Sequence, residues 1–222
     1  MTRAIALFIT TILASTTCAL ASPVTDRTKL QTVIVANTKD NLRALGSGVI
    51  IGTTKNGLRI LCAAHTTAFG GTLTVTTSDG QTLNLSERPQ LIEGHDLAIL
   101  TTSMPHGIFH AATLGSPDLT AGALHVWGHA GGALYTLSAA TIQDLAPKIS
   151  DNPHSGEFAI HCDTCTVGDS GSGVFDADGH LVGIVTGAII AESGAVLMTV
   201  AESVSPLLTI IAPQSVATST PR

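Results

Sequence analysis

Gly168-Asp169-Ser170-Gly171-Ser172-Gly173 sets one hydroxyl between glycines immediately before a short apolar run, Val174-Phe175. A hydroxyl used as a nucleophile must project into a cleft while the N–H groups beside it turn inward toward a developing oxyanion, and glycines permit that tight backbone path. The N–H groups of Gly168 and Ser170 are the expected oxyanion donors. The segment is not the Gly-x-Ser-x-Gly elbow of strand–turn–helix hydrolases, because Ser172 stands where the second glycine belongs and no strand–helix alternation surrounds it. Taken alone, it has a second reading as a Gly/Ser-rich surface turn.

What a serine needs is a base, since its hydroxyl is a weak nucleophile until a neighbour takes its proton. Leu61-Cys62-Ala63-Ala64-His65 supplies one at the end of an apolar strand, after two alanines small enough to leave room around the imidazole. His95-Asp96-Leu97-Ala98-Ile99-Leu100 then puts an acid at the head of another apolar strand. A carboxylate there can accept the imidazole N–H, fix its tautomer and stabilise the imidazolium formed during attack. Each segment alone has a structural explanation, a strand-end histidine or a strand cap. The three together supply base, acid and nucleophile.

These segments resemble the trypsin-like serine proteases, whose hallmark sequences are Ala-Ala-His, Asp-Leu-Ala and Gly-Asp-Ser-Gly in that order. The separations of 31 and 74 residues (96 − 65 and 170 − 96) are similar to those of compact bacterial and viral members, including HtrA-like proteases. The resemblance spans roughly Thr32 to Ile211. It implies an all-β fold of two six-stranded antiparallel β-barrels, with His65 and Asp96 on the first, Ser170 on the second and the cleft between them. It also implies a serine endopeptidase that works through an acyl-enzyme on a protein or peptide substrate, without metal or other cofactor; the export signal described below makes it a secreted one.

The departures from the family pattern carry information too. Thr66 replaces the cysteine that commonly follows the histidine, and no cysteine stands near Gly46-Ser47-Gly48, so that family disulfide is absent. Ser172-Gly173 replaces the usual Gly-Pro. No Arg-Ile-Val-Gly-Gly-like site precedes the first barrel, so activity is expected without pairing of Asp169 to a newly cut N-terminus. By the same resemblance the base of the primary pocket is expected at Thr164, with Cys165 beside it and Thr186, Gly187 and Ala188 on the strand that binds substrate backbone. No acid stands at Thr164, which disfavours cleavage after Arg or Lys and leaves small or medium uncharged residues as the expected preference.

The remainder of the chain agrees with this outline. Its 222 residues with 44% hydrophobic content can bury a sizeable core. Gly, Thr, Ala and Val dominate while aromatics are only 3%, which suits short twisted strands joined by many turns. A net charge of −6 excludes a nucleic-acid footprint, which takes clustered Lys and Arg. Short β-like runs fill residues 32–103 (first barrel) and 121–201 (second barrel), the Pro- and Gly-containing stretch 104–120 reads as the linker, and Asp176-Ala177-Asp178-Gly179 reads as a hairpin turn. Val204, Leu207, Leu208 and Ile211 share one helical face, which predicts a short C-terminal helix over 202–211, followed by a frayed tail at 213–222.

Residues 1–21 read as an export signal: Arg3, the apolar run Ala4 to Ala14, and Ala19-Leu20-Ala21 before the cleavage site. A run this short falls below the roughly 20 apolar residues of a membrane span, so no stable membrane insertion is expected and the mature chain is secreted or periplasmic. Of the four cysteines, Cys18 leaves with the signal; Cys162 and Cys165 form either a tight local disulfide or two free thiols, and Cys62 is expected in the core. Three rival functions share these residues: a catalytically silent scaffold of the same fold, an esterase with the same triad, and a thiol-disulfide module on Cys162 and Cys165. The last leaves His65 and Asp96 without a role.

Overall fold

The computed structural model describes residues 23–55, 57–118, 122–145, 147, 156–166, 168–192, 194 and 196–208. The signal at 1–21, the tail at 213–222 and the end of the expected C-terminal helix lie outside them. One α-helix is present among the described residues, α1 (Pro23–Gln31), and everything else regular is strand or single 3₁₀ turns. No helix among them is long and apolar enough to cross a membrane.

The first half contains β1 (Thr32–Lys39), β2 (Leu42–Thr54), β3 (Gly57–Ala63), β4 (Thr72–Thr76), β5 (Thr82–Asn84), β6 (Gln90–Leu91) and β7 (Leu97–Thr101). They form one antiparallel sheet in the order β5-β4-β1-β2-β3-β7-β6. Where a closed six-stranded barrel was expected, seven strands form this sheet, and the residues that follow β5 and β7 meet through a single bridge, Leu85 to Thr102. Ser86 N–H to Thr101 O and Ser103 N–H to Asn84 O, both at 2.9 Å, support it. The sheet thus curls into a barrel whose last seam is one bridge rather than a ladder, because β5 is only three residues long.

The second half contains β8 (Leu124–Gly128), β9 (Thr136–Asp144), β10 (Glu157–Cys162), β11 (Gly173–Phe175), β12 (Leu181–Ile190) and β13 (Val196–Ser203). These six close completely, in the order β10-β13-β12-β11-β8-β9. The β11–β12 turn is the expected hairpin: Gly179 takes φ +81°, and Asp176 Oδ1 accepts the N–H groups of Asp178 and His180.

Alternation along the strands divides the apolar residues between the barrels and their interface, as a period of two requires. Ile50, Ile60, Cys62, Ala98 and Leu100 point into the first barrel with Val33, Val35 and Leu58. Their sequence neighbours Val49, Ile51, Leu61, Leu97 and Ile99 point the other way, onto Trp127, Phe175, Leu181 and Ile184 of the second barrel. Val126, Phe158, Ile160, Val174, Val182 and Ala201 fill the second interior. The connecting segment binds both halves: Ala112 N–H donates to Ile50 O, and Leu181 N–H to Thr113 O, each at 2.8 Å.

Two features differ from the sequence-based outline. The chain runs as strand to Ser203 where the start of a helix was expected, and a 3₁₀ turn at Ser205–Leu207 then leads into Leu208, which is α-helical and the last described residue. Val204 and Leu207 are nonetheless fully buried between the barrels. At the other end, α1 was not foreseen, because PVTDRTKLQ has too few large apolar residues to show helical periodicity. Its end signals are Pro23 at the first position, Asp26 in the first turn and Lys29 in the last. Tertiary contacts fix it: Thr28 Oγ1 lies 3.2 Å from His125 Nε2, and Gln31 Nε2 donates to Ala111 O at 3.1 Å.

Candidate active site

β3 and β7 are antiparallel neighbours whose register pairs Cys62 with Ala98 and Ala63 with Leu97. The next step along that ladder brings the end of β3 beside the residue that precedes β7. Ala64 N–H accordingly donates to Asp96 O at 2.9 Å. The chain then turns through a 3₁₀ segment, Ala64–Thr67, pinned by Thr66 Oγ1 to Ala63 O and by the buried Asn37 amide to the carbonyls of Thr66 and Thr67. His65 sits on this turn and is held twice by one carboxylate. Its backbone N–H donates to Asp96 Oδ1 at 2.9 Å, and its Nδ1 meets Asp96 Oδ2 at 2.6 Å.

Ser170 arrives from the other barrel. Gly171 N–H donates to Val185 O at 2.7 Å and Val185 N–H to Ser172 O at 2.9 Å, which anchors the turn to β12. Across the interface, Ser47 N–H donates to Ser170 O at 2.7 Å. The docking is so close that a Cβ on Gly171 would lie 1.9 Å from Ser47 O, at a φ of +87° that L side chains rarely adopt. Gly171→Ala is therefore expected to cost about 3 kcal/mol or more, visible as a lowered urea midpoint together with lost activity. A variant as stable as the parent would refute this account of the contact.

His65 and Ser170 face a common cleft of about 320 Å³, with Gly168, Thr66, Leu45 and Phe69 on its walls. Their side chains do not hydrogen-bond to each other in this structure, while His65 and Asp96 do. A serine–histidine bond that is loose without substrate and tightens on binding is usual for such sites. Gly168 takes φ +103°, and a Cβ there would lie 2.6 Å from His129 O. Beneath it, the buried Asp169 carboxylate accepts Thr166 N–H at 2.9 Å and the Ser172 hydroxyl at 3.1 Å. Burial pushes this carboxyl up from its ordinary value, and hydrogen bonds from Thr166, Ser172 and the His129 backbone offset part of that.

A family model for the trypsin-like peptidase domain matches residues 46–184, more than half of the chain. The chain belongs to the trypsin-like peptidase family. This peptidase is accordingly a hydrolase of the serine-protease type. Among solved structures it is similar to the inactive form of the Rv3671c protease from M. tuberculosis, at 25% identity and a TM-score of 0.63 over 85% of this chain and 92% of that one. It is similar also to the HtrA-type protease AlgW with a decapeptide (23%, TM-score 0.70, 85% of this chain and 65% of that one). A third likeness is to the MamO protease domain from Magnetospirillum magneticum (18%, TM-score 0.67, 83% and 97%). Comparison with curated protein sequences gives no match.

The trypsin-like peptidase has a second cleft beside Ser170, of about 310 Å³, lined by Cys165, Val185, Gly187, Ala188, Ile190, Val196 and Thr199 among others. Three of the five expected specificity residues, Cys165, Gly187 and Ala188, line it. Thr164 does not: it lies in the adjoining cleft with His161 and Asp163, inside the turn closed by the Cys162–Cys165 disulfide, and its hydroxyl donates to Ser138 Oγ. Thr186 does not line it either. The β12–β13 register skips from Val185↔Ala201 to Gly187↔Val200, so Thr186 is the extra residue of a bulge that redirects the strand at the cleft. His161 pairs with Asp163 at 2.8 Å. The sequence reading did not find Thr199, whose buried hydroxyl has no partner among the described residues, nor the walls Ile190 and Val196.

Cys62 lies in the core as expected, and one further group near the site, His129, was invisible as a site element. Cys62 is fully buried, and burial pushes its thiol up to about 12, so it remains a protonated core residue. His129, 2% exposed, joins Ser47 Oγ through Nδ1 at 2.8 Å directly under the docking contact of the Ser170 turn. Burial pushes its pKa down to about 4. The unfolded chain, with an ordinary histidine value of about 6.5, therefore takes up a proton that the folded chain refuses between those values. Stability is full above about pH 6.5 and falls as pH drops toward 4, by about 3 kcal/mol from this group. Asp169, raised by burial, acts in the opposite sense near the acid end. His129→Gln is expected to flatten the decline in urea midpoints between pH 6.5 and 4.5; an unchanged slope would assign the decline elsewhere.

Proposed function

We propose that this trypsin-like peptidase is an exported endopeptidase that cleaves peptide bonds through an acyl-enzyme on Ser170. The observation that carries the reading is the two-point hold of Asp96 on His65 in a cleft shared with Ser170. With Asp96 Oδ2 accepting the Nδ1 proton, His65 keeps its lone pair on Nε2 and serves as base. Ser170 Oγ attacks the scissile carbonyl carbon as its proton passes to His65 Nε2. The carbonyl oxygen becomes an oxyanion that accepts the N–H groups of Gly168 and Ser170. Collapse breaks the C–N bond, the leaving amine takes the proton from His65, and water repeats the sequence to release the acid and restore Ser170.

The cleft beside Ser170 supports an uncharged side chain at the cleavage position. Its walls Val185, Ile190 and Val196 are aliphatic, and Asp169, the one acid among its described lining residues, is already bound by the chain's own donors. Gly187 and Ala188 stand where substrate backbone would lie, and the similarity to AlgW, solved with a decapeptide, supports a peptide ligand. The Cys162–Cys165 disulfide supports an oxidising compartment, in keeping with the export signal read at 1–21.

The experiment is fluorophosphonate labelling of the mature protein at pH 7 to 8 beside a Ser170→Ala control, with casein cleavage followed in parallel. Labelling and cleavage that both vanish in the control are expected. A folded protein that does neither would make it a scaffold, and one that labels and hydrolyses only small esters would make it an esterase.

A further inference from the structure

Behind the catalytic acid stands a second one. Glu202 lies on β13, paired with Ile184 of β12 and Glu157 of β10, and is fully buried. Its carboxylate leaves the second barrel and reaches the loop that begins β7 in the first. Oε2 accepts the backbone N–H of Asp96 at 2.9 Å, and Oε1 meets Nδ1 of His95, whose side chain is itself 12% exposed. Asp96 is thereby fixed on three sides: its N–H by Glu202, its carbonyl by Ala64 N–H and its carboxylate by His65.

A carboxylate withdrawn this far from water carries a heavy desolvation cost unless it is well partnered, and an apolar residue would fill the same space without that cost. The general acid–base work needs His65 of one barrel aligned with Ser170 of the other, and an error of about 1 Å in such an alignment lowers turnover by about 100-fold. Glu202 belongs to the barrel that carries Ser170 and holds the backbone of the residue that holds His65. We infer that Glu202 is a positioning residue of the triad, which ties the Asp96–His65 pair to the Ser170 barrel through the Asp96 N–H. It touches neither substrate nor the reacting atoms. The inference rests on the triad reading given above.

The test separates reach from charge. Glu202→Gln keeps an acceptor oxygen at the same distance, and its amide can donate to His95 Nδ1. Glu202→Asp keeps the charge and withdraws the acceptor by one methylene. On a peptide substrate, Glu202→Asp is expected to lose kcat about 10-fold or more with KM within twofold, and Glu202→Gln to keep at least about a third of kcat. The low-field proton resonance of His65 Nδ1–H, assigned by its disappearance in His65→Ala, is read in the same samples. It should be lost or broadened in Glu202→Asp and kept in Glu202→Gln. Wild-type kcat in Glu202→Asp, or a folded Glu202→Gln as slow as the aspartate variant, overturns the inference. If Glu202→Asp does not fold, Glu202→Gln alone decides, because loss of both kcat and the resonance in that folded variant is fatal to it. Absence of the resonance from the wild-type protein would instead strike at the triad reading itself.

Discussion

Replacing Ser170 with alanine is expected to lower kcat by about 10⁶-fold while leaving the fold and KM nearly unchanged. The loss should be large because the cleft offers no other nucleophile to the base proposed at His65, and the one free thiol among the described residues, Cys62, is buried in the first barrel. The fold should survive because the turn is held by backbone groups. Ser47 N–H reaches the Ser170 carbonyl, and Gly171 N–H reaches Val185 O, neither of which involves the hydroxyl. The residual rate reports what the oxyanion donors and substrate binding achieve without a nucleophile. Steady-state kinetics beside a urea denaturation curve checks both parts. A drop of tenfold or less in a pure sample would remove Ser170 from the chemistry.

Asp96→Asn is expected to lower kcat about 10⁴-fold at neutral pH, again with little change in stability. The geometry shows why an isosteric change should be so damaging. The backbone N–H of His65 needs an acceptor at the Oδ1 position, so the asparagine oxygen is drawn there. Its NH₂ group then faces His65 Nδ1 and donates to it. That places the imidazole proton on Nε2, and the nitrogen toward Ser170 ceases to be a base. The check is kcat at pH 7 for the variant and the parent, with fluorophosphonate labelling rates as a second readout. A loss of under 100-fold would mean that Asp96 does not select the tautomer.

The parts of this protein legible in its sequence are those in which chemistry and local geometry coincide. The short apolar runs at Ile50 and Ile60 and the period-two alternation of Thr82-Leu83-Asn84-Leu85 mark strands, the Asp-Gly of Asp178-Gly179 marks a turn, and Gly168 to Gly173 marks a backbone path that few other residues allow. His65 and Asp96 could be singled out because each ends or begins an apolar strand, and the fold then makes those strands neighbours. The helix α1 and the 3₁₀ turn at Ser205–Leu207 were not legible. α1 has weak periodicity and takes its place from contacts with His125 and Ala111, and Val204 and Leu207 are equally compatible with a helix or with a buried turn.

The surroundings of the cleft were hidden for a different reason. Thr199, Ile190 and Val196 line it because a bulge at Thr186 turns β12 there, and Thr164 is drawn aside by a disulfide whose formation the spacing of Cys162 and Cys165 left open. Ser47, His129 and Glu202 lie 123, 41 and 32 residues from Ser170 (170 − 47, 170 − 129 and 202 − 170) and carry no local signature. By itself the sequence determined the strand pattern, the glycine-flanked Ser170 turn and the candidates for base and acid, since these depend on residues a few positions apart. Only the tertiary structure decided what holds them: which barrel edge Ser170 O meets, what lies under Gly168, and which buried carboxylate reaches the Asp96 N–H. Those contacts join atoms that become neighbours only after two barrels have closed and packed, and side-chain packing at that interface has no period that a linear sequence can display.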